Sequence, residues 1–289
     1  MRLNSSRHLW SLGLLIFTTL IWGTTFPLLK DLVGSLSPAV LIGSRFVIAA
    51  IAFLPFCQSL NLALIRDGSL LGGVAFLSFL TQVIGLETIS ANRAAFITSL
   101  NVVLVPLLGW QLGRSITLKL IVAAGLALLG IALMSWETGG IGWGEVWMLG
   151  CAFSYAVYIL LMETLSPRHP PRQLTAVQLF TVGILGIVWA APVWATQLTI
   201  VKTHWIMIVY LGLVATAFST WTQVVGQRCL SASETAIIYT LEPVFAAIFS
   251  FWWLGERLNQ REAIGAGLVL VAMLLSQLPI HLLKRTPKP

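Results

Sequence analysis

Residues 239–256 read Y-T-L-E-P-V-F-A-A-I-F-S-F-W-W-L-G-E, a long apolar run with Glu242 and Pro243 near its middle. A carboxylate and a helix breaker side by side are both costly in hydrocarbon. Ionisable groups inside membrane spans face a protein interior or a wet cavity, and they mark functional sites. Pro243 donates no hydrogen bond, and its ring crowds the carbonyl of Tyr239, four residues back. A free carbonyl, an acid and a phenol therefore meet at mid-span. Irregular backbone is tolerated there only inside protein or along a cavity.

The surrounding chain is of the same kind. Apolar types make 57% of the 289 residues and charged residues only 9%, against about 25% charged in ordinary globular proteins. Most of the chain must therefore meet lipid or other apolar helices. The net charge of +7 belongs to the loops of a membrane protein, which collect Lys and Arg on the cytoplasmic side, and not to nucleic-acid binding. Cys57, Cys151 and Cys229 are an odd set without metal-ligand spacing, so no disulfide framework follows. The apolar run at 9–29 exceeds a signal-peptide core and lacks an A-x-A site, so it reads as a retained span.

A span needs roughly 20 mostly apolar residues. Ten are predicted: 9–29, 38–56, 69–88, 92–112, 118–136, 145–163, 174–194, 204–227, 233–254 and 260–281. A Gly-rich hinge, residues 137–145, separates two halves, 1–139 and 140–289. With the N-terminus inside, Lys and Arg favour the inner loops by about two to one. Both termini are therefore expected in the cytoplasm of a cell bounded by this inner, plasma membrane.

An internal repeat ties the halves together. T-Q-V-I-G at 81–85 recurs as T-Q-V-V-G at 222–226, and Ser90-Ala91 recurs as Ser231-Ala232 at the same offset. A-F-I-T-S-L at 95–100 lies over A-I-I-Y-T-L at 236–241, and A-G-L at 124–126 over 266–268 after one insertion. Five spans per repeat is an odd number, so the second copy must enter the membrane from the opposite side. The fold expected is an all-α membrane protein: ten transmembrane helices in two inverted five-helix repeats around a central cavity. Inverted repeats are a common plan of secondary transporters, with substrate sites near mid-depth at the repeat interface.

Helical spacing places Ala75, Ser78, Gln82 and Gly85 on one face of the third span, and Thr216, Ser219, Gln223 and Gly226 on the eighth. Ala94, Thr98, Asn101 and Val105 form a stripe on the fourth span, matched by Thr235, Tyr239, Glu242 and Ala246 on the ninth. Such residues also serve helix packing, at about 1 kcal/mol or less per hydrogen bond. Trp22, Tyr155 and Trp221 lie deep enough to present flat faces to a solute. Arg45, the other in-span charge, pairs with Glu242 or snorkels to the surface. Pro27 and Pro106 free the carbonyls of Gly23 and Val102, as hinges or static kinks. The substrate-binding candidates are Trp22, Ser78, Gln82, Thr98, Asn101, Tyr155, Ser219, Gln223, Tyr239 and Glu242. Glu242 and Arg45 are the candidates for charge coupling. The four histidines sit at termini or in loops, and there is no P-loop, G-x-S-x-G or H-E-x-x-H. No catalytic, metal or cofactor site is expected.

Residues 95–109, A-F-I-T-S-L-N-V-V-L-V-P-L-L-G, and 241–256, closing on L-G-E, resemble the two EamA repeats of the drug/metabolite transporter superfamily. Trp22-Gly23 with Phe26, and Arg45-Phe46, are also similar to that family. The resemblance implies ten helices, inverted repeats, a central cavity and export or exchange of small metabolites, amino-acid-like solutes or drugs. Asn101 and Val102 stand where the second half has Glu242 and Pro243, which leaves acid chemistry to one half. The expected partners are a small-molecule substrate, the lipid bilayer and protons carried by Glu242, in a monomer or homodimer. An uncoupled facilitator is the nearest alternative. A membrane enzyme acting on lipid-linked substrates needs clustered catalytic groups, and the sequence offers none.

Overall fold

A computed structural model describes residues 5–58, 60–113, 116–136 and 141–277. The expected boundary at 139/140 lies outside the described residues. Among the described residues, nine helices are long and apolar enough to cross a membrane: α1 Arg7–Val33, α2 Pro38–Phe56, α3 Leu62–Thr88, α4 Ala91–Gln111, α5 Leu118–Ser135, α6 Trp143–Arg168, α7 Pro171–Ala190, α8 Trp205–Gln227 and α9 Ala232–Leu254. The tenth, α10 Gln260–Gln277, opens on Gln260, Arg261 and Glu262, which lower its mean hydropathy. There is no strand among the described residues. The protein is an all-α, multi-pass membrane protein.

Local chemistry sets the helix starts. Ser37, Asn61, Ser90 and Thr117 each accept a hydrogen bond from the backbone N–H three residues on, satisfying a first-turn donor. Ser231 and Glu234 form a full capping box at the start of α9. α3 begins seven residues before the predicted 69, because Asn61 caps it and Asp67 is held by Arg66 and His169, at 2.9 Å each. A helix that the hydropathy pattern did not predict, Trp194–Thr203, connects α7 to α8 and buries no residue. Leu77, Ile121, Leu129, Phe153, Val188 and Val271 stand exposed on the outside, as lipid-facing surface requires.

The packing has two-fold character. α2 packs on α7 and α5 on α10; α1 lies against α8 and α9 as α6 lies against α3 and α4. Exchanging the first five helices for the second five converts these contacts into one another. The self-paired contacts are closed by glycine. A Cβ on Gly130 of α5 would stand 2.6 Å from the Gly265 carbonyl oxygen of α10, and one on Gly265 would meet the Gly130 oxygen at 2.5 Å. Gly43 and Gly186 bring α2 and α7 together in the same way. Gln277 of α10 donates to the Val102 carbonyl at 2.8 Å, capturing the acceptor that Pro106 frees.

The L-G-E ending of α9 has a structural task. Gly255, at φ +67, turns the chain, and the Glu256 carboxylate accepts from the Ala91 and Asn92 N–H groups at 3.1 Å each. An acid from the second half thus caps the first turn of α4, where the helix dipole favours negative charge. Arg93, the next residue, is buried and bonds Glu145 of α6 at 3.1 Å and Glu262 of α10 at 3.4 Å.

Two outcomes follow for stability in detergent. Gly130→Val forces apart two backbones and should lower the melting temperature by an amount equivalent to about 1–3 kcal/mol, whereas Gly125→Val, with open space around it, should not. Glu256→Ala removes the acceptor of the Ala91 and Asn92 N–H groups while leaving the Ser90 cap, and should cost about 1 kcal/mol, read in the same melting assay.

Candidate functional site

The site is built where α4 and α9 break. α9 is helical over Ala232–Tyr239, turns at Thr240 and Leu241, and resumes over Glu242–Leu254. Pro243 is the cause: it lacks the N–H that would continue the ladder, and the second half restarts with Phe245 N–H donating to the Leu241 carbonyl at 3.0 Å. α4 breaks at the equivalent place without a proline there. It is helical over Ala91–Thr98 and again over Asn101–Leu108. The Asn101 side chain donates to the Thr98 carbonyl at 2.8 Å. The local side chain competes with the backbone ladder. Asn101 and Glu242 therefore open the second halves of two discontinuous helices. Half-helix N-termini at mid-depth are where transporters place anionic groups.

A narrow cavity lies at the α9 break, lined by Trp22, Arg45, Ser78, Gln82, Thr98, Tyr155 and Glu242 together with Thr25, Phe79 and Cys151. Helices of both halves thus wall it. Six of the ten predicted binding residues are here. Gln223 lines an adjoining chamber with Trp22 and Tyr155, and donates to the Tyr155 hydroxyl at 3.0 Å. Tyr239 is fully buried behind them, its ring 5.3 Å from Trp22 and 6.2 Å from Tyr155. Asn101 is turned to Thr98, and the Ser219 hydroxyl donates to the Val214 carbonyl of its own helix at 2.9 Å. Trp221 borders a separate groove with Phe56 and Arg172, at the face of the bundle that carries the ends of α2 and α8.

The two in-span charges have different surroundings. Arg45 is 3% exposed. Its Nε donates to the Thr216 hydroxyl and its Nη2 to the Ala215 carbonyl at 3.1 Å. The rings of Phe46 and Phe79 lie 5.6 and 5.1 Å from its guanidinium carbon. Leu213–Phe218 forms a π-turn inside α8, and the Thr216 hydroxyl there donates to the Leu211 carbonyl at 2.6 Å. No ion pair joins Arg45 to Glu242 among the described residues, and Arg45 does not reach the surface. Glu242 is 5% exposed and has no hydrogen bond or ion-pair partner among the described residues. A buried, unsatisfied polar group is costly, by about 1–3 kcal/mol when neutral and more when charged.

The sequence pattern missed Cys151, whose carbonyl and thiol take the Ser78 hydroxyl at 3.4 Å and whose thiol takes Thr98 at 3.8 Å. It also missed Phe79 and Gln178. Nothing in the sequence marks them: Phe79 follows Ser78 in an apolar run, and Gln178 lies on the seventh span, where the repeat is weakest.

The chain matches the EamA-like transporter family model twice, at residues 9–136 and 142–278. An uncharacterized transporter of Archaeoglobus fulgidus is 33% identical over 270 residues, spanning 92% of this chain and 85% of its own. A probable terminal-alkyne amino-acid exporter of Streptantibioticus cattleyicolor is 26% identical over 290 residues, 93% of each chain. A solved crystal structure superposes with a TM-score of 0.69 over 98% of this chain and all of its own, at 18% identity, which shows the shared fold. The two matches fall one on each half of the bundle that walls the cavity, and with the archaeal relative they make this chain a member of the EamA-like transporter family.

Proposed function

We propose that the chain is a secondary transporter that exports or exchanges small organic metabolites, amino-acid-like solutes among them, by alternating access. The carrying observation is Glu242: an acid at the break of a discontinuous helix, facing the cavity, with no hydrogen-bond or ion-pair partner among the described residues. A carboxylate so placed holds a proton or an ammonium group, and releases one when the other arrives. The halves, 1–139 and 140–289, rock about the α2–α7 and α5–α10 contacts and expose the cavity to each face in turn. The amino-acid exporter of Streptantibioticus cattleyicolor supports the solute class. The Lys and Arg bias supports an inner-membrane protein with cytoplasmic termini, as a monomer or homodimer.

The test is uptake of radiolabelled amino acids into proteoliposomes under an imposed pH gradient. Glu242→Gln should lose gradient-driven accumulation by tenfold or more while retaining downhill exchange. Unchanged accumulation removes Glu242 from coupling, and gradient-independent flux in the wild type makes the protein a facilitator. Orientation is read separately, in a background lacking Cys57, Cys151 and Cys229. An impermeant maleimide added to intact cells should label Ser35→Cys, between α1 and α2, and spare Gln58→Cys, before α3.

A further inference from the structure

The two broken helices are matched down to their first turns. Each opens on an eight-residue half-helix, Ala91–Thr98 in α4 and Ala232–Tyr239 in α9, running from opposite faces of the bundle to the breaks at mid-depth. The Arg93 N–H donates to the Ser90 hydroxyl at 3.3 Å, and the Glu234 N–H to the Ser231 hydroxyl at 3.2 Å. Arg93 and Glu234 thus hold the same place in the two copies, one basic and one acidic. The exchange that carries α4 onto α9 carries α6 onto α1, and the side-chain contacts follow it. Arg93 meets Glu145 in the first turn of α6, and Glu234 meets His8 near the start of α1, at 3.6 Å. Both contacts cross between the halves.

The two contacts are unequal. The side chains of Arg93, Glu145 and Glu262 are 7%, 3% and 16% exposed, whereas those of His8 and Glu234 are 34% and 43% exposed. Parting a buried pair leaves uncompensated charge, while water screens an exposed one, which contributes little. At the face of Arg93, Glu256 adds two more bonds between the halves, from the Ala91 and Asn92 N–H groups. The matching Ala232 N–H bonds Glu163 of its own half, at 3.1 Å. Asp67 and His169, 2.9 Å apart, also join the halves at the face of His8, but they tie α3 to the turn between α6 and α7 and hold neither broken helix.

The cavity at the breaks has about 30 Å³ of room, enough for one or two water molecules. Sites for small organic molecules are roughly tenfold larger. A solute therefore enters only when a wall moves. We infer that the two half-helices are hinged gates. Each swings at its break, Ser99–Leu100 or Thr240–Leu241. Each is latched at its free end: Ala91–Thr98 by Arg93 on Glu145 and Glu262, and Ala232–Tyr239 by Glu234 on His8. The Arg93 latch is the stronger, so the substrate-free protein opens more readily at the face of His8. The inference rests on the transport reading and adds the device that decides which face is open.

The test uses the full-length protein lacking Cys57, Cys151 and Cys229, with Gln82→Cys on α3 as a cavity reporter that lies on neither gate. A charged, membrane-impermeant thiol reagent is applied to sealed vesicles of each orientation, and melting temperatures confirm that each variant is folded. Arg93→Gln should raise the labelling rate from the face of Arg93 by about tenfold or more, and leave the rate from the other face unchanged or lower. Glu262→Gln, which leaves Arg93 paired with Glu145, should give a smaller rise at the same face, and it decides the matter if Arg93→Gln does not fold. His8→Ala should raise labelling only from the opposite face, by about twofold. No rise in the folded Arg93 or Glu262 variants, an equal rise from both faces, or a larger effect from His8→Ala overturns the inference. Counterflow of radiolabelled amino acids is read separately, with Gln82 intact. The labelling pattern without counterflow keeps the gates and rejects transport; counterflow with unchanged labelling keeps transport and rejects the gates.

Discussion

Two helices that break at mid-depth govern this molecule. In hydrocarbon an unpaired backbone carbonyl or N–H costs several kcal/mol, so α4 and α9 must place their breaks inside the protein. Everything around them serves that need. α1 lies along α9 and α6 along α4, shielding both interruptions from lipid. Glycine contacts at α2–α7 and α5–α10 draw the halves close enough to enclose them. A cavity results because helices that cannot be straight cannot close-pack through their full length.

Charge is distributed by the same logic. Arg45 and Arg93 are buried and Glu256 is half-buried, and each is settled by fixed partners. A π-turn of α8 supplies Arg45 with a hydroxyl and a carbonyl. Glu145 and Glu262 hold Arg93, and two α4 N–H groups hold Glu256. Several of these bonds cross between the halves, so they would have to be made and broken, or carried along, in any rocking motion. Glu242 stands apart from this pattern. It is buried and has no hydrogen-bond or ion-pair partner among the described residues.

Much of this was legible in the residues, and the failures have physical causes. Glu242 and Pro243 announced the α9 break, and the matched Ser90 and Ser231 announced that both broken helices start alike. The break in α4 was not announced, because it is made by the Asn101 side chain; Pro106, which looked like the weak point, lies inside a continuous helix. Arg45 was weighed between Glu242 and the surface, since a π-turn in a distant helix leaves no mark on the local pattern. The role of Arg93 is not marked in the sequence, because its two acids come from α6 and α10. Gln178 is not marked by the repeat, because the second and seventh spans share almost no sequence. Single-helix periodicity reveals which face is polar, but which faces converge depends on the crossing of helices far apart in sequence.

The most direct test of the account is the water accessibility of position 242. In protein lacking Cys57, Cys151 and Cys229, a Glu242→Cys variant is treated with a small, charged, water-soluble thiol reagent in sealed vesicles of each orientation, then with a lipophilic one. An interior wet cavity predicts labelling by the charged reagent, faster in one orientation and slowed by transported solute. Labelling by the lipophilic reagent alone, with none by the charged reagent from either side, would place position 242 against the acyl chains and contradict the account.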